Sequence, residues 1–237
     1  MTNKIYEIYN FFFLIFFQKY IYSLIINKSK NTLMEISKIE TGDLIFVGIP
    51  EQKGESLGNA VASSTGVGTN KIIHVGILEV NINYNNFKEI YVIEASNLKG
   101  VIRDTLKNFL HNNLIPQFSS KIFIKRVKDA TEKEKNQWII EAKKHIGKKY
   151  NFKYIPSDDS LYCSELVYIS YLKENKEHIF KEEEMQFKDK DGNIPLYWIK
   201  NFEKLNMEIP IGKLGTNPQK MFLDENLEFV CEIKDKI

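Results

Sequence analysis

Cysteine is scarce in this chain. Two residues, Cys163 and Cys231, are too few for a disulfide framework, so the fold cannot rest on cross-links. At most a single bridge between them is available. There is no CxxC pair and no Cys/His set at zinc-ligand spacing, and no metal is expected. Charge of one sign is lacking too: 33 basic against 31 acidic residues leave a formal net charge of +2. No Lys/Arg block with interleaved aromatics occurs in the folded part, so nucleic acid is not an expected partner. Internal repeats are absent. Long apolar runs are confined to the first 33 residues.

What is present suits a folded enzyme-sized domain. The 43% hydrophobic and 13% aromatic content supplies a sizeable core, and the length fits one domain with an extra segment. That segment is residues 1–33. Ile8 to Ile26 is nearly continuous in apolar and aromatic side chains, broken by Asn10, Gln18-Lys19 and Ser23. It barely reaches the ~20 residues a spanning helix needs. Lys4 is offset by Glu7, and no small-x-small cleavage site follows. Three readings stay open: a secretory signal, a membrane anchor through residues 8–26, or an amphipathic helix packed on the domain. The first two imply a cell-envelope location, the third a cytoplasmic one. Asn27 to Asn31 reads as a polar linker into the domain at 34–237.

Within the domain, residues 43–47, 72–80, 89–96, 101–104, 121–127 and 227–233 read as strands, several rich in β-branched residues. Small residues from Ser63 to Thr69 read as a flexible connection. Helices are expected at 57–63 and 105–111, and from Pro195 as first helical residue to Leu205. Thr131 and Glu134 fit a capping box for a helix through Trp138 and Ile146 to Gly147. Residues 173–192 are very polar and read as a surface insertion. Strands in the middle with flanking helices give an α+β fold.

The chemistry concentrates around Ser160–Leu172. A polar run, Ser157 to Ser160, gives way to apolar residues at mostly helical spacing, which places Cys163 in the first turn of a buried helix. There the unpaired backbone N–H groups and the helix dipole favour thiolate over thiol. Free cysteines are also among the most buried residues, so the position alone leaves a packing role open. A nucleophilic cysteine needs a base within reach and a third group to orient it. His74 interrupts an apolar strand, unlike His111, His145 and His178 in polar surroundings. Glu94 is the matching oddity, an acid inside Tyr91-Val92-Ile93-Glu94-Ala95. If their strands pair as a hairpin, ring and acid meet on one face. A satisfied structural histidine and a solvent-facing edge carboxylate remain the alternatives.

Taken together, Gly42-Asp43-Leu44-Ile45-Phe46, His74-Val75-Gly76-Ile77, Val92-Ile93-Glu94-Ala95 and Tyr162-Cys163-Ser164-Glu165-Leu166-Val167 resemble the YiiX/YebB-like branch of the permuted NlpC-type papain-like cysteine hydrolases. The resemblance runs from about residue 39 to 233. It includes the lead-in Tyr150-Asn151-Phe152 and the element Gly215-Thr216-Asn217-Pro218. It implies a circularly permuted papain-like fold, with a central antiparallel sheet or barrel packed against the helix that bears the cysteine. The histidine strand precedes the cysteine helix, the reverse of papain order. The resemblance further implies Cys163 as nucleophile, His74 as general base and acid, and Glu94 as the orienting third member. Tyr162, Asp43 and Glu165 are oxyanion or substrate-binding candidates. The family's lead-in often carries Asp where this chain has Asn151, and the 173–192 insertion is atypical.

The expected activity is amide hydrolysis through a thioester, with no metal or organic cofactor. The expected substrate is a peptide or acyl amide, peptidoglycan stem peptides first among them. An acyltransferase or lipid-amide hydrolase, or an inactive binding module on the same fold, are the alternatives.

Overall fold

The computed structural model describes residues 33–50, 55–64, 71–84, 87–114 and 119–234. The apolar stretch 8–26 and most of the connection expected at 63–69 lie outside them. No helix among the described residues is long and apolar enough to cross a membrane.

Strand β1 (Leu44–Ile49) is buried at all six positions. A run apolar on both faces belongs at the centre of a sheet covered on each side. It pairs antiparallel with β2 (Lys71–Ile82) and β5 (Lys121–Val127). Beyond β2 lie β3 (Lys88–Ser96) and β4 (Gly100–Thr105); beyond β5 lies β10 (Leu227–Ile233). The order β10-β5-β1-β2-β3-β4 makes an open, fully antiparallel sheet. The barrel alternative is therefore set aside: among the described residues the edge strands β10 and β4 do not pair.

Helices α3 (Glu132–Lys143), α4 (Cys163–Ser170) and α6 (Pro218–Leu223) cover one face, where Phe46, Val75, Ile77 and Ile93 meet Trp138, Leu166 and Met221. On the other face, α2 (Leu106–Asn113) packs Phe109 and Leu110 on Ile45, Leu78 and Val92. A third cluster flanks the tip of α4, where α1 (Leu57–Ser64) and α5 (Leu196–Lys204) bring Ala60, Trp198 and Phe202 against Tyr154 and Tyr162.

Thr131 and Glu134 form the expected capping box of α3, each satisfying a backbone donor at the helix start. The helix stops at Lys143, and three turn residues lead to Gly147 at φ +94°. Trp138 stacks on Tyr171 at 4.4 Å and donates its indole N–H to the Leu172 carbonyl at 2.7 Å. The Tyr171 hydroxyl donates to the Gly42 carbonyl at 3.0 Å. These bonds fix α3 and the end of α4 to the turn that opens β1.

Three readings need correction. Pro195 is the N-cap of α5, not its first helical residue. Residues 173–192 are not only surface: Ile179, Phe180 and Phe187 are buried, and β8 (Glu183–Glu184) pairs with β9 (Leu214–Gly215). The Cys163–Cys231 bridge is excluded because both thiols are free and pack on opposite faces of the sheet. Burial pushes the Cys231 thiol up to about 12.

Candidate active site

The site forms where β2 and β3 part. Their pairing runs from Ile82↔Lys88 to Ile77↔Ile93. His74 and Glu94 lie just past its end, where side chains can enter a notch instead of a ladder. A β-bulge helps aim the ring: Val47 opposes His74 and Gly48 opposes Ile72, which leaves Ile73 without a partner on β1. An inserted residue bends its strand and redirects the side chains beside it. Here Ile72 and Val75, three apart, both reach the α4 face of the sheet. Gly76 supplies the close approach: a Cβ there would sit 2.7 Å from Val92 Cγ1 and 3.3 Å from Ile45 Cγ2.

His74 Nε2 lies 2.5 Å from Glu94 Oε2, and its ring stacks on Phe109 with centroids 6.1 Å apart. Cys163 lies near enough to the ring to act on its charge. Since Nε2 faces the acid, Nδ1 is the nitrogen left for the sulfur. Burial pushes the imidazole toward its neutral form. The hydrogen bond to Glu94 and the influence of Cys163 outweigh burial and raise its pKa from 6.5 to about 10. At neutral pH the ring is an imidazolium held between an acid and a sulfur.

Cys163 is the first residue of α4, after Tyr162 as N-cap with φ −94° and ψ 169°. Its side chain is nearly buried. Ser164 beside it is fully buried, with a hydroxyl oxygen that has no partner among the described residues. Glu165, at the third helical position, accepts from the Tyr162 backbone N–H at 3.2 Å and from Asn151 Nδ2 at 3.4 Å. It is thus half of a capping box. Burial raises its pKa to about 7, with Glu182 adding to the rise. Asn151 has a role of its own here: it also donates to the Ile155 carbonyl at 2.7 Å and accepts from Lys153 N–H at 3.1 Å. An aspartate could not donate these bonds, and it would set a second acid against Glu165.

The Tyr162 hydroxyl accepts from the Thr216 backbone N–H at 3.0 Å. Burial pushes the phenol up to about 12. Gly215 is closely overlaid: a Cβ there would lie 2.6 Å from Met185 Sδ and 2.9 Å from the Tyr162 hydroxyl, so one of them would have to shift. Asp43 stands apart from this group. It is fully buried in a two-pronged pair with Arg126, at 2.7 Å from Nε and 2.8 Å from a terminal nitrogen, and accepts from the Glu40 N–H. It lines neither cavity of the site.

Two cavities adjoin the site, one lined by Cys163 and the other by His74. One, about 330 Å³, opens at Cys163 and is walled by Tyr150, Tyr154, Tyr162, Phe187 and Trp198. The other, about 390 Å³, opens at His74 and Glu94 and is bordered by Ser96, Asn97, Lys99 and Asn112. Ile73 and Tyr150 line both. Tyr154, Phe187 and Trp198 were not singled out from sequence. Phe187 is an isolated aromatic in a polar run, and Tyr154 takes φ +55° in an irregular loop, so neither shows a period. No group of three or more His, Cys, Asp or Glu side chains among the described residues is placed to hold a metal.

Residues 38–231 match the family described as "Permuted papain-like amidase enzyme, YaeF/YiiX, C92 family". YiiX of Escherichia coli strain K12, itself described as uncharacterized, is 28% identical over 185 residues, which are 77% of this chain and 81% of that protein. The crystal structure of YiiX from Escherichia coli O157:H7, described as a metalloprotein, is similar with a TM-score of 0.61 at 25% identity, covering 82% of this chain and 97% of that one. The open antiparallel sheet, the helices on its faces and the match over most of the chain lead to one assignment: this protein belongs to the permuted papain-like amidases of the YaeF/YiiX family.

Proposed function

We propose that the protein hydrolyses an amide bond through a thioester formed on Cys163, with His74 as acid and base and Glu94 orienting the ring. The observation that supports this reading is the His74–Glu94 contact at 2.5 Å, with Cys163 among the groups that raise the pKa of the ring. The thiolate of Cys163, paired with the His74 imidazolium, attacks the substrate carbonyl. The first-turn N–H groups of α4, which lack intrahelical acceptors, stabilise the oxyanion. As the C–N bond breaks, His74 Nδ1 gives its proton to the departing amine. The neutral ring then takes a proton from water, whose oxygen attacks the thioester. The C–S bond breaks to leave a carboxylic acid and the starting thiolate–imidazolium pair. Glu94 holds Nε2–H throughout and so fixes which nitrogen faces the sulfur.

The E. coli O157:H7 relative is described as a metalloprotein. The described side chains of this protein do not assemble three metal donors, and no step is routed through a metal. The test is covalent: a thiol-reactive amide-mimic probe labels Cys163, and the label is lost in His74→Ala. Labelling at an unchanged rate in that variant would sink the proposal.

A further inference from the structure

We infer that the tip of the β2–β3 hairpin and the helical residues 33–37 form one apolar surface that docks on a lipid bilayer with anionic headgroups. Its side chains are Leu33, Met34, Ile82, Tyr84 and Phe87, all of them exposed. The inference does not depend on the chemistry at Cys163.

This surface continues the core past its cover. Val80 pairs with Ile90, and Ile82 with Lys88. Paired residues, and residues two apart, share one face of a sheet, so all four point the same way. Val80 and Ile90 pack in the cluster that α2 covers. Ile82 carries that row on into solvent at 63% exposure. Residues 33–37 are helical, and Ile36 packs on the same cluster. Leu33, three positions earlier, falls on the same side of the helix and is 58% exposed. Lys88 ties the two rows together: its Nζ donates to the Ser37 carbonyl at 3.1 Å and to that of Ile39.

The hairpin tip suits apolar surroundings. The Asn83 N–H donates to the Phe87 carbonyl and the Phe87 N–H to Asn83 Oδ1, both at 3.0 Å, so these backbone groups carry their partners with them. From Asn81 to Lys88 the sequence has no acid and a single base. That base, Lys88, is already engaged by carbonyls. Tyr84, 94% exposed, offers the apolar ring with a polar end that membrane interfaces favour.

The chain beside Leu33 says what covers the patch. Residues 8–26 are nearly continuous in apolar and aromatic side chains. That is more surface than five side chains can cover, and a bilayer suits it better. Between this stretch and Leu33 stand Lys28 and Lys30, with no acid among residues 27–32; cations so placed are drawn to anionic headgroups. His74 lies eight residues from Ile82 along β2, roughly 25 Å at about 3.3 Å per residue. Docking at the tip therefore holds the candidate site away from the lipid, open to substrate from water.

The test places an NBD dye at Tyr84→Cys, or at Leu98→Cys beyond the far end of β3, in the full chain carrying C163S and C231A. Vesicles of equimolar phosphatidylcholine and phosphatidylglycerol are then added. The expected result is a blue shift and a loss of iodide quenching for the dye at position 84, with no change at position 98. Ile82→Glu should weaken partition to the same vesicles about tenfold, the scale for burying one such side chain. A chain that floats with vesicles while the dye at 84 stays quenched overturns the inference, since residues 8–26 then dock alone. Protection of that dye before vesicles are added overturns it too, because the patch is then covered by this chain or by a second copy. So does a chain that fails to float. None of these outcomes bears on labelling of Cys163 by the amide-mimic probe, so the hydrolase reading stands or falls separately.

Discussion

Replacing Glu94 by Gln removes a charge while keeping the shape and one acceptor, and it isolates what the acid does for the ring. His74 is held protonated up to about 10 against burial, which by itself pushes the ring the other way. The opposing contributions come from Cys163 and from Glu94 at 2.5 Å. A hydrogen bond to a charged group is worth about 1.5–3 kcal/mol. At about 1.4 kcal/mol per pKa unit, losing that charge lowers the ring's pKa by about one to two units. The assay needs no substrate: alkylation of Cys163 by iodoacetamide is followed against pH in a C231A background. The alkylation rate changes when the imidazolium beside the sulfur loses its proton. That change is expected near pH 10 in the parent and near pH 8 to 9 in E94Q, with rates at pH 7 similar because the ring is still charged in both. A step that stays near pH 10 in E94Q refutes the claim that Glu94 holds the proton on the ring.

Three further outcomes follow from the same geometry. The folded Glu165 has its pKa at about 7 against an ordinary 4.5, so the native state binds a proton that the unfolded chain has released. Stability therefore falls as pH rises from about 4.5 to 7, by about 3 kcal/mol. E165Q should lack that slope and be the more stable protein above pH 7 in urea titrations; parallel curves would refute it. Y162F strips the buried Thr216 N–H of its acceptor and should cost about 1–3 kcal/mol in the same titrations. G76A drives a methyl into Val92 at 2.7 Å. It should cost about 1–3 kcal/mol and slow Cys163 alkylation as the notch shifts, and a melting temperature equal to the parent's would count against it.

Much of the fold was legible because its strands are apolar runs bounded by turns and its caps are local. Thr131 and Glu134 announce the start of α3 within four residues, and no distant contact can undo that. The meeting of His74 with Glu94 could be read because each breaks its local pattern, a ring and an acid inside strands. The surroundings could not be read the same way. Asp43 entered as a candidate through the family resemblance; its partner Arg126 lies 83 residues away, and no local spacing links them. The polar run 173–192 hid Ile179, Phe180 and Phe187, because single buried residues separated by charges carry no period. The wall of the aromatic cavity is therefore a tertiary fact, drawn from α1, the lead-in loop, the insertion and α5 together.

The notch also explains why chain order does not constrain this chemistry. The ring needs a strand that leaves its neighbour before its own end, and the sulfur needs a helix tip aimed at that gap. Antiparallel pairing of β2 with β3 stops at Ile77, and the bulge at Ile73 turns His74 into the opening. The tip of α4 is set independently, by the parallel pair β6 (Lys149–Tyr150) with β7 (Ser160–Leu161) and by Asn151 and Glu165 behind it. Neither device depends on which segment comes first. Linking the ends elsewhere moves the loops, not the relation of strand gap to helix tip. A variant that lengthens the β2–β3 ladder past Ile77 would therefore harm the site more than one that lengthens a loop between them.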